Sequence, residues 1–323
     1  MFNMNLARMN KFATLAILPG MVLAIMLFSG VSRDRQPPPE PPEAGVLVVA
    51  NLRAQSLSFH NFRNGRSWSL ALPGAPHEMA ELNGRLYIPL GRADLLVEVA
   101  PAVPAVLRTL RLPGEPHGIA VYDGSLLVSL DQRDAVVTID PATFTVVRSW
   151  PTGDTPHMIA TDGVDVFVIE THDNSLRILD GDQTTQTGAL PEGLAIVGPY
   201  VVTADFESGT LSVFHRDSLL VARTVTVGGG PVRVSALDDV RAAVTLQQSN
   251  SLLILDTSKG AVVERVEAPS RPDGICISPD GGHLAVPGNG ANLVEVFEVG
   301  TWRSAATTPT GDGPGACLWL DRR

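Results

Sequence analysis

The chain contains few cysteines and little positive charge, and each shortage excludes a class of protein. Only two cysteines, Cys276 and Cys317, occur in 323 residues, which is too few for a disulfide-stapled scaffold or a zinc module held by cysteines. Lysine and arginine together number 24 against 34 acidic residues, and the net charge is −10. Such a chain has no broad basic surface for a phosphate backbone, so nucleic acid is not expected as a partner. Hydrophobic residues make up 44% of the chain, enough for a sizeable core that holds by packing.

The sequence also lacks the short motifs of common enzyme classes. It contains no Gly-x-Ser-x-Gly elbow, no phosphate-binding glycine loop and no Cys-x-x-Cys-His haem site. Any chemistry must therefore come from residues that the fold brings together.

The first 35 residues are typical of an export signal. Residues 1–11 carry two positive charges and no acid, and residues 12–28 are uncharged and apolar apart from Pro19-Gly20. This apolar run is longer than the usual signal-peptide core, and Gly30-Val31-Ser32 is a weak cleavage site. A cleaved signal peptide and an uncleaved anchor in the inner membrane are therefore both open. Either one predicts a periplasmic, extracytoplasmic protein.

A proline-rich linker, residues 36–44, follows this segment. Its prolines enforce extended polyproline geometry at about 3 Å per residue, which makes it a semi-rigid spacer. The folded domain is expected to occupy residues 45–323.

Within that domain a short sequence motif built around a proline, which we call the proline phrase, recurs about every 40 residues. Its clearest copies are Pro-His pairs, with histidines at positions 77, 117 and 157. Weaker copies continue to the C-terminus, which makes seven phrases in all. Their prolines are Pro76, Pro116, Pro156, Pro191, Pro231, Pro272 and Pro314.

Short apolar runs of β-type residues follow the phrases. After the phrase at Pro116, for example, such runs occupy residues 127–130, 135–140 and 145–150, and polar Asp-Gly or Asp-Pro turns separate runs of this kind. Four short strands per 40 residues, with no helical periodicity, are typical of a blade of a β-propeller. The sequence therefore predicts an all-β fold.

The two ends of the domain predict the number of blades. Residues 45–71 contain three β-like runs with no preceding phrase, and residues 316–320 follow the last phrase with nothing after them. Together they make one four-stranded blade, whose innermost strand comes from the C-terminus. Pairing the two ends of the domain in this way closes the ring and removes free strand edges. Six continuous blades and one composite blade give a seven-bladed β-propeller.

This repeat resembles the YVTN-type β-propeller family, which is related in style to NHL-repeat and lactonase-like propellers. The naming tetrapeptide is approximated by residues 48–51, 127–130 and 201–204. The resemblance covers residues 45–323 and implies the propeller fold. It implies little about function, because propellers include binding modules, scaffolds, lactonases and lyases.

The residue after each proline is expected to lie at one mouth of the central channel, because the phrase enters the innermost strand of its blade. These positions should form a ring that includes His77, His117, His157, Glu192 and Asp273, our candidates for ligand binding. The three histidines and Glu192 are a donor set for zinc or a similar divalent ion. The alternative is structural: repeats duplicate, and in that case each histidine serves only to bond a carbonyl of the next blade.

Other polar residues carry less specific predictions. Asp131 and His172 fall in turns between the second and third strands and are interpreted as solvated turn residues. Cys276 stands four residues after its proline and Cys317 three, so strand alternation points them to opposite faces and predicts two unpaired, buried thiols.

Three hypotheses of function follow from these patterns. The first is an exported propeller that acts as a binding or scaffold module for a protein or small-molecule ligand. The second is a metal-dependent, lactonase- or lyase-like enzyme that uses the His/Glu cluster. The third is an accessory protein in cofactor or metal handling.

Overall fold

Strands account for nearly all regular structure in the computed structural model, which describes residues 45–181 and 183–320. Within these ranges the helical segments are two 3₁₀ turns, Gly91–Ala93 and Asp131–Arg133. None of the helices in the described ranges has the length and apolarity needed to span a membrane. The predicted export segment and linker, residues 1–44, lie outside the described residues.

Twenty-eight antiparallel strands are present in the described ranges. Their bounds are β1 Val46–Asn51, β2 Ser56–Asn61, β3 Arg66–Ala71, β4 Ala80–Leu82, β5 Arg85–Leu90, β6 Leu95–Ala100, β7 Ala105–Arg111, β8 Pro116–Tyr122, β9 Ser125–Leu130, β10 Ala135–Asp140, β11 Thr145–Pro151, β12 Pro156–Thr161, β13 Val166–Glu170, β14 Ser175–Ile178, β15 Thr184–Gln186, β16 Pro191–Val197, β17 Tyr200–Asp205, β18 Thr210–His215, β19 Val221–Thr226, β20 Pro231–Ala236, β21 Arg241–Leu246, β22 Ser251–Asp256, β23 Ala261–Glu267, β24 Cys276–Ile277, β25 His283–Gly288, β26 Leu293–Glu298, β27 Ser304–Pro309 and β28 Pro314–Leu320.

The strands form seven four-stranded sheets, which confirms the predicted seven-bladed β-propeller. Blade 1 has the strand order β28-β1-β2-β3, and blades 2 to 7 are β4–β7, β8–β11, β12–β15, β16–β19, β20–β23 and β24–β27. The predicted composite blade is also confirmed, because β28 pairs with β1 from Leu320 opposite Val46 to Pro314 opposite Asn51.

The core lies in the seams, by which we mean the interfaces between neighbouring blades. Seven apolar clusters are present in the described residues, and each fills one seam. In the seam between blades 1 and 2, Leu57 and Phe59 pack with Leu86 and Ile88, all of them fully buried. Burial on both faces explains why the second strand of a blade reads as a nearly continuous apolar run rather than an alternating one.

Strand direction decides which residues meet at each end of the channel. The first strand of a blade starts at its proline phrase, and we call this end the mouth face. In an antiparallel sheet the second strand returns to the same face, so the turn between the second and third strands also lies there. The turns after the first and third strands lie on the opposite side, which we call the far face.

The two cysteines form a disulfide bond, so the prediction of two free thiols was wrong. Cys276 is on the innermost strand of blade 7 and Cys317 on that of blade 1, with Cα atoms 5.8 Å apart. Neighbouring blades stack face to face, so residues on opposite faces of their own sheets point toward each other across the seam. The prediction assumed that side chains on opposite faces of their sheets would keep the two thiols apart. In neighbouring blades this arrangement brings the thiols together.

Candidate functional site

The predicted ring residues surround one cavity at the mouth face. Its volume is about 260 Å³. Six of the seven ring positions line it, and Leu190, Phe206, Arg233 and Gln247 complete the wall. The lining ring residues are His77, His117, His157, Glu192, Val232 and Asp273. Six positions that follow a proline thus share one cavity, and four of its ten lining residues lie at other positions of the repeat.

His117 and His157 are the most closely associated pair in the cavity. They follow the prolines that begin β8 and β12, the innermost strands of adjacent blades, and both are about nine-tenths buried. Their Nδ1 atoms lie 2.6 Å apart, and their rings meet edge to face at 71°. Ser129 holds this seam in register, because its hydroxyl accepts from the Gly118 amide and donates to the His157 carbonyl oxygen at 2.7 Å.

Asp131 is the third member of this group, and its interpretation as a solvated turn residue was wrong. Its Oδ2 lies 3.4 Å from Nδ1 of His117 and 3.7 Å from Nδ1 of His157, and its side chain is 19% exposed. A signal for it was present in the sequence. Asp131 occupies the turn after the second strand, which returns to the mouth face. The equivalent turns of blades 5 and 6 contribute Phe206 and Gln247 to the same cavity.

His172, the other residue interpreted as a solvated turn residue, does lie in an exposed turn. Its side chain is 61% exposed, and its Nδ1 bonds the Thr155 hydroxyl at 2.7 Å. It does not line the cavity.

Glu192 approaches the outer nitrogen of His157. Its Oε2 accepts from Nε2 of His157 at 3.1 Å, while Nδ1 of the same ring faces His117 and Asp131. A carboxylate on the far nitrogen fixes the ring orientation of a histidine, as in the carboxylate–histidine pairs that support metal ligands. Glu192 is thus placed to orient His157.

The two central histidines have opposite protonation preferences. Burial lowers the pKa of His157, but the neighbouring carboxylates of Asp131 and Glu192 outweigh this and raise it to about 9. Burial and the charge on His157 hold the pKa of His117 well below its usual range. At neutral pH an imidazolium His157 can therefore donate from Nδ1 to a neutral His117. Burial also raises the pKa of Asp131. Burial acts in the same direction on Glu192, but the hydrogen bond from His157 and nearby positive charges outweigh it and lower the pKa of Glu192.

His77 stands at the edge of this group. Its ring lies edge-on to His117 with centroids 4.2 Å apart, and burial together with the charges on His157, Arg233 and Arg92 lowers its pKa to about 4. Gly91 makes room for the ring, because a Cβ there would lie 2.8 Å from Nε2 of His77. Within the described residues His77 is not part of the compact donor cluster that His117, Asp131 and His157 form.

A buried arginine spans the channel next to the histidines. Arg233 of blade 6 donates to Oε1 of Glu78 in blade 2 at 2.9 Å, and these blades stand on opposite sides of the channel. The same guanidinium lies 3.6 Å from Asp273 and donates to the Glu192 carbonyl oxygen at 3.2 Å. Glu78 and Arg233, two residues after their prolines, were not among the predicted site residues. This four-residue ion cluster fixes blades 2, 5, 6 and 7 around the mouth.

The cluster of His117, Asp131 and His157 could hold a metal ion. Their three donor atoms all lie within 4.8 Å of one another. Ligand atoms of a tetrahedral zinc ion with bonds of about 2.0–2.2 Å are roughly 3.3 Å apart, which the two Nδ1–Oδ2 distances approach. The two Nδ1 atoms would separate by roughly 0.7 Å to reach that spacing. Oδ1 of Asp131 is buried without a hydrogen-bond partner, as expected of a carboxylate that can turn toward a cation.

Comparisons with known proteins support the fold and go no further. No protein-family profile and no curated protein sequence matches this chain. Solved structures do match. A functionally unknown protein from Desulfotomaculum acetoxidans has a TM-score of 0.75 at 10% identity, over 87% of this chain and all of that one.

Two further matches carry names of enzymes. A putative 6-phosphogluconolactonase from Bacteroides fragilis has a TM-score of 0.69 at 14% identity and covers 88% of this chain and 100% of its own. Virginiamycin B lyase from Staphylococcus aureus has a TM-score of 0.66 at 13% identity and covers 75% and 88%. Identities this low show the propeller fold alone.

Proposed function

We propose that this protein is an exported binding module that holds a divalent first-row metal ion, zinc or similar, at the mouth of its propeller. His117, His157 and Asp131 supply the ligands through Nδ1, Nδ1 and Oδ2, and Glu192 orients His157 from its other nitrogen. The role that fits this site is metal handling, in which the propeller captures the ion and presents it at an open face.

The convergence of three donor atoms from two blades carries the proposal. Imidazole nitrogens and a carboxylate suit zinc and its neighbours among the first-row ions, and three protein ligands leave a position open for water or an exchange partner. The predicted set of His77, His117, His157 and Glu192 shares two histidines with this group. The geometry favours Asp131 as the acidic ligand and gives Glu192 a supporting role.

The charge of the cavity favours a cation over an anionic ligand. Four carboxylates lie in or beside it, those of Glu78, Asp131, Glu192 and Asp273, and the buried Arg233 is already paired with two of them. The other two, Asp131 and Glu192, face His157, so a metal ion that binds there must displace the Nδ1 proton of His157, and its binding should strengthen as the pH rises toward 9.

Metal analysis of the purified protein tests this function. We expect about one equivalent of zinc or a similar ion after dialysis against that metal, and a rise in melting temperature that a chelator reverses, since a ligand bound only to the native state stabilises it. His117→Ala and Asp131→Asn should each abolish the bound equivalent. His172→Ala, which changes an exposed histidine of the same face, is the matched control and should retain it.

Two results would contradict the proposal. One is a protein that binds no metal and melts at the same temperature with and without chelator. The other is an equivalent of metal that survives both His117→Ala and Asp131→Asn, because it would lie elsewhere in the chain.

A lactonase- or lyase-like enzyme is the second candidate function. The observation that favours it is the cluster of three protein donors, because three ligands leave a coordination position at which a bound metal ion would polarise a carbonyl or activate water. Two structural matches are named as a lyase and a putative lactonase. Turnover of a lactone panel that requires added metal and is lost in His117→Ala would support this role, whereas metal binding without turnover would leave the binding module.

Export is the remaining part of the proposal. The apolar run at residues 12–28 would bring the propeller to the periplasm, either released or attached to the inner membrane. Fractionation of expressing cells, with mass measurement of the mature N-terminus, distinguishes a cleaved signal from an anchor, and a full-length cytosolic product would contradict both.

A further inference from the structure

A second cavity lies in the seam between blades 3 and 4, away from the histidine cluster. Its volume is about 500 Å³. It opens at the far face, because residues of the turns that follow β8, β12 and β14 line it, together with Val147, Arg148 and Trp150 of β11. We call it the seam groove. Its lining includes Tyr122, Asp123, Arg148, Trp150, Asp165 and Asp180.

Two departures from the repeat coincide at the seam groove. Most consecutive phrase prolines are 40 to 42 residues apart, but Pro156 and Pro191 are separated by only 35. The shortening falls in the outer half of blade 4, where β14 has four residues and β15 three, whereas the outermost strands of the other blades have six or seven. A shorter outer hairpin leaves the neighbouring surface of blade 3 uncovered.

The second departure is Trp150. It pairs with Val136 at a position where the outer strands of four other blades carry aliphatic residues. These aliphatic residues are Leu70, Leu110, Val225 and Val266. A large aromatic ring therefore lies where the outer hairpin of the adjacent blade is shorter. Its Nε1 donates to the Thr138 hydroxyl at 3.0 Å, which fixes the orientation of the ring.

The face of the Trp150 indole already accommodates a cation. The guanidinium carbon of Arg148 lies 3.1 Å from the ring centroid, and the same guanidinium is 3.7 Å from Oδ1 of Asp180. Arg148 is 57% exposed, so solvent can take its place at low cost. The indole and the nearby carboxylate thus form a cation site that a residue of the chain itself occupies.

Charge at the groove favours a basic ligand. Three carboxylates line it, those of Asp123, Asp165 and Asp180, against the single guanidinium of Arg148. Two exposed valines, Val147 and Val164, border it and provide apolar contact beside the charges. An anionic ligand would be repelled by this lining, whereas a chain with alternating basic and apolar side chains would match it.

We propose that the seam groove binds a basic, extended segment of a partner polypeptide, with an Arg or Lys side chain displacing Arg148 from the face of Trp150. The two departures from the repeat, the occupied indole face and the acidic lining all support this binding mode. The groove is separate from the metal site, so this inference stands or falls independently of the proposed function.

Titration with short capped peptides tests the inference. The probe is acetyl-Gly-Arg-Leu-Arg-Gly-amide, and acetyl-Gly-Gln-Leu-Gln-Gly-amide is the uncharged comparison, with binding to the purified protein followed by calorimetry. We expect the arginine peptide to bind and the glutamine peptide to bind at least about tenfold more weakly, because the cation–π and carboxylate contacts are lost.

Two variants give opposite expected shifts. Trp150→Leu installs the residue that blade 2 carries at this position and should weaken the arginine peptide about tenfold without a change of fold. Arg148→Ala vacates the indole face and should tighten binding several-fold. Val266→Leu, at the equivalent position of blade 6, is the matched control and should leave affinity unchanged.

Several results would overturn the inference. They are binding that Trp150→Leu does not change, binding that Arg148→Ala weakens, and the absence of binding to both the wild-type protein and Arg148→Ala. Arginine amide alone that binds as tightly as the peptide would also overturn it, because the ligand would then be a small cation rather than a polypeptide segment.

Discussion

Two seams of this propeller use the same architecture for different purposes. In the seam between blades 7 and 1, the innermost strands are joined by the Cys276–Cys317 disulfide, and Nε1 of Trp319 donates to the Cys276 carbonyl oxygen at 3.2 Å. In the seam between blades 3 and 4, the innermost strands instead present His117 and His157, with Asp131 beside them. Strand order is equivalent in both. The repeat therefore provides equivalent positions, and the side chains placed there decide whether a seam closes the ring or forms a site.

The largest expected effect comes from removing the closing strand. Truncation after Gly313 deletes β28, opens the ring and exposes an unpaired edge of β1, so we expect loss of the whole stability of the domain, more than about 5 kcal/mol. Thermal unfolding and soluble yield measure it. Truncation after Leu320, which keeps β28, is the control. An unchanged melting temperature after truncation at Gly313 would refute the composite blade.

The disulfide should have the next largest effect. Replacing Cys276 and Cys317 together by Ala removes a link across 41 residues of sequence, and we expect a loss of about 2–4 kcal/mol in the free energy of unfolding. Denaturant titration with and without reductant measures this, and the variant should be insensitive to reductant. Titration of two free thiols in the denatured, unreduced wild-type protein would show that the bond does not form.

His157, in the seam between blades 3 and 4, should make the stability of the protein depend on pH. The pKa of His157 is raised to about 9 in the folded protein, above its unfolded value of about 6.5. Its contribution is therefore fully present below pH 6.5 and is lost as the pH rises through 9. Buried His60 and His77, with pKa values lowered to about 4, act in the opposite sense and cost stability as the pH falls from 6.5 toward 4.

We therefore expect these histidines together to favour maximal stability near pH 6.5. Denaturant titrations of the metal-free protein, with chelator present, measure the profile from pH 5 to pH 9.5. His157→Gln should flatten the alkaline decline, whereas the exposed His172→Gln should leave it unchanged. An alkaline decline that persists in His157→Gln would show that another group causes it.

The smallest expected effect comes from removing one hydroxyl group that bonds a carbonyl oxygen of the next blade. The comparison is between the seam of blades 3 and 4, which contains the metal site, and the seam of blades 6 and 7, which does not. Ser129→Ala removes a buried hydroxyl that holds the His157 carbonyl, and we expect a loss of about 1 kcal/mol and weaker metal binding. Thr245→Val removes the equivalent bond to the Asp273 carbonyl, 2.8 Å long, between blades 6 and 7. It should cost similar stability but leave metal binding intact. Equal metal affinities of the two variants would contradict a site centred on His157.

Most of the fold could be predicted from the sequence, because each copy of the repeat independently predicts the same arrangement of strands and turns. The strands around Leu127 and Val136, the turns between them and the pairing of residues 314–320 with residues 46–51 all followed from the spacing of the phrases. The ring of residues after the prolines followed as well, since equivalent positions of equivalent blades must surround a common axis.

Contacts across a seam or across the channel could not be predicted in this way. Asp131 lies 14 residues after His117 in sequence and on a different turn, and only the return of β9 to the mouth face brings the two together. Arg233 reaches Glu78 over 155 residues because blades 6 and 2 stand on opposite sides of a closed ring.

The period, the number of blades, the composite closure and the positions at the mouth depend on spacing along one chain, so the sequence alone was enough to predict them. The packing of the blades in three dimensions determines that Cys276 bonds Cys317, that Asp131 lies beside the histidines and that Glu192 contacts the outer nitrogen of His157. The physical reason is that strand alternation defines two faces for each sheet, whereas the stacking of neighbouring sheets determines which of those faces meet.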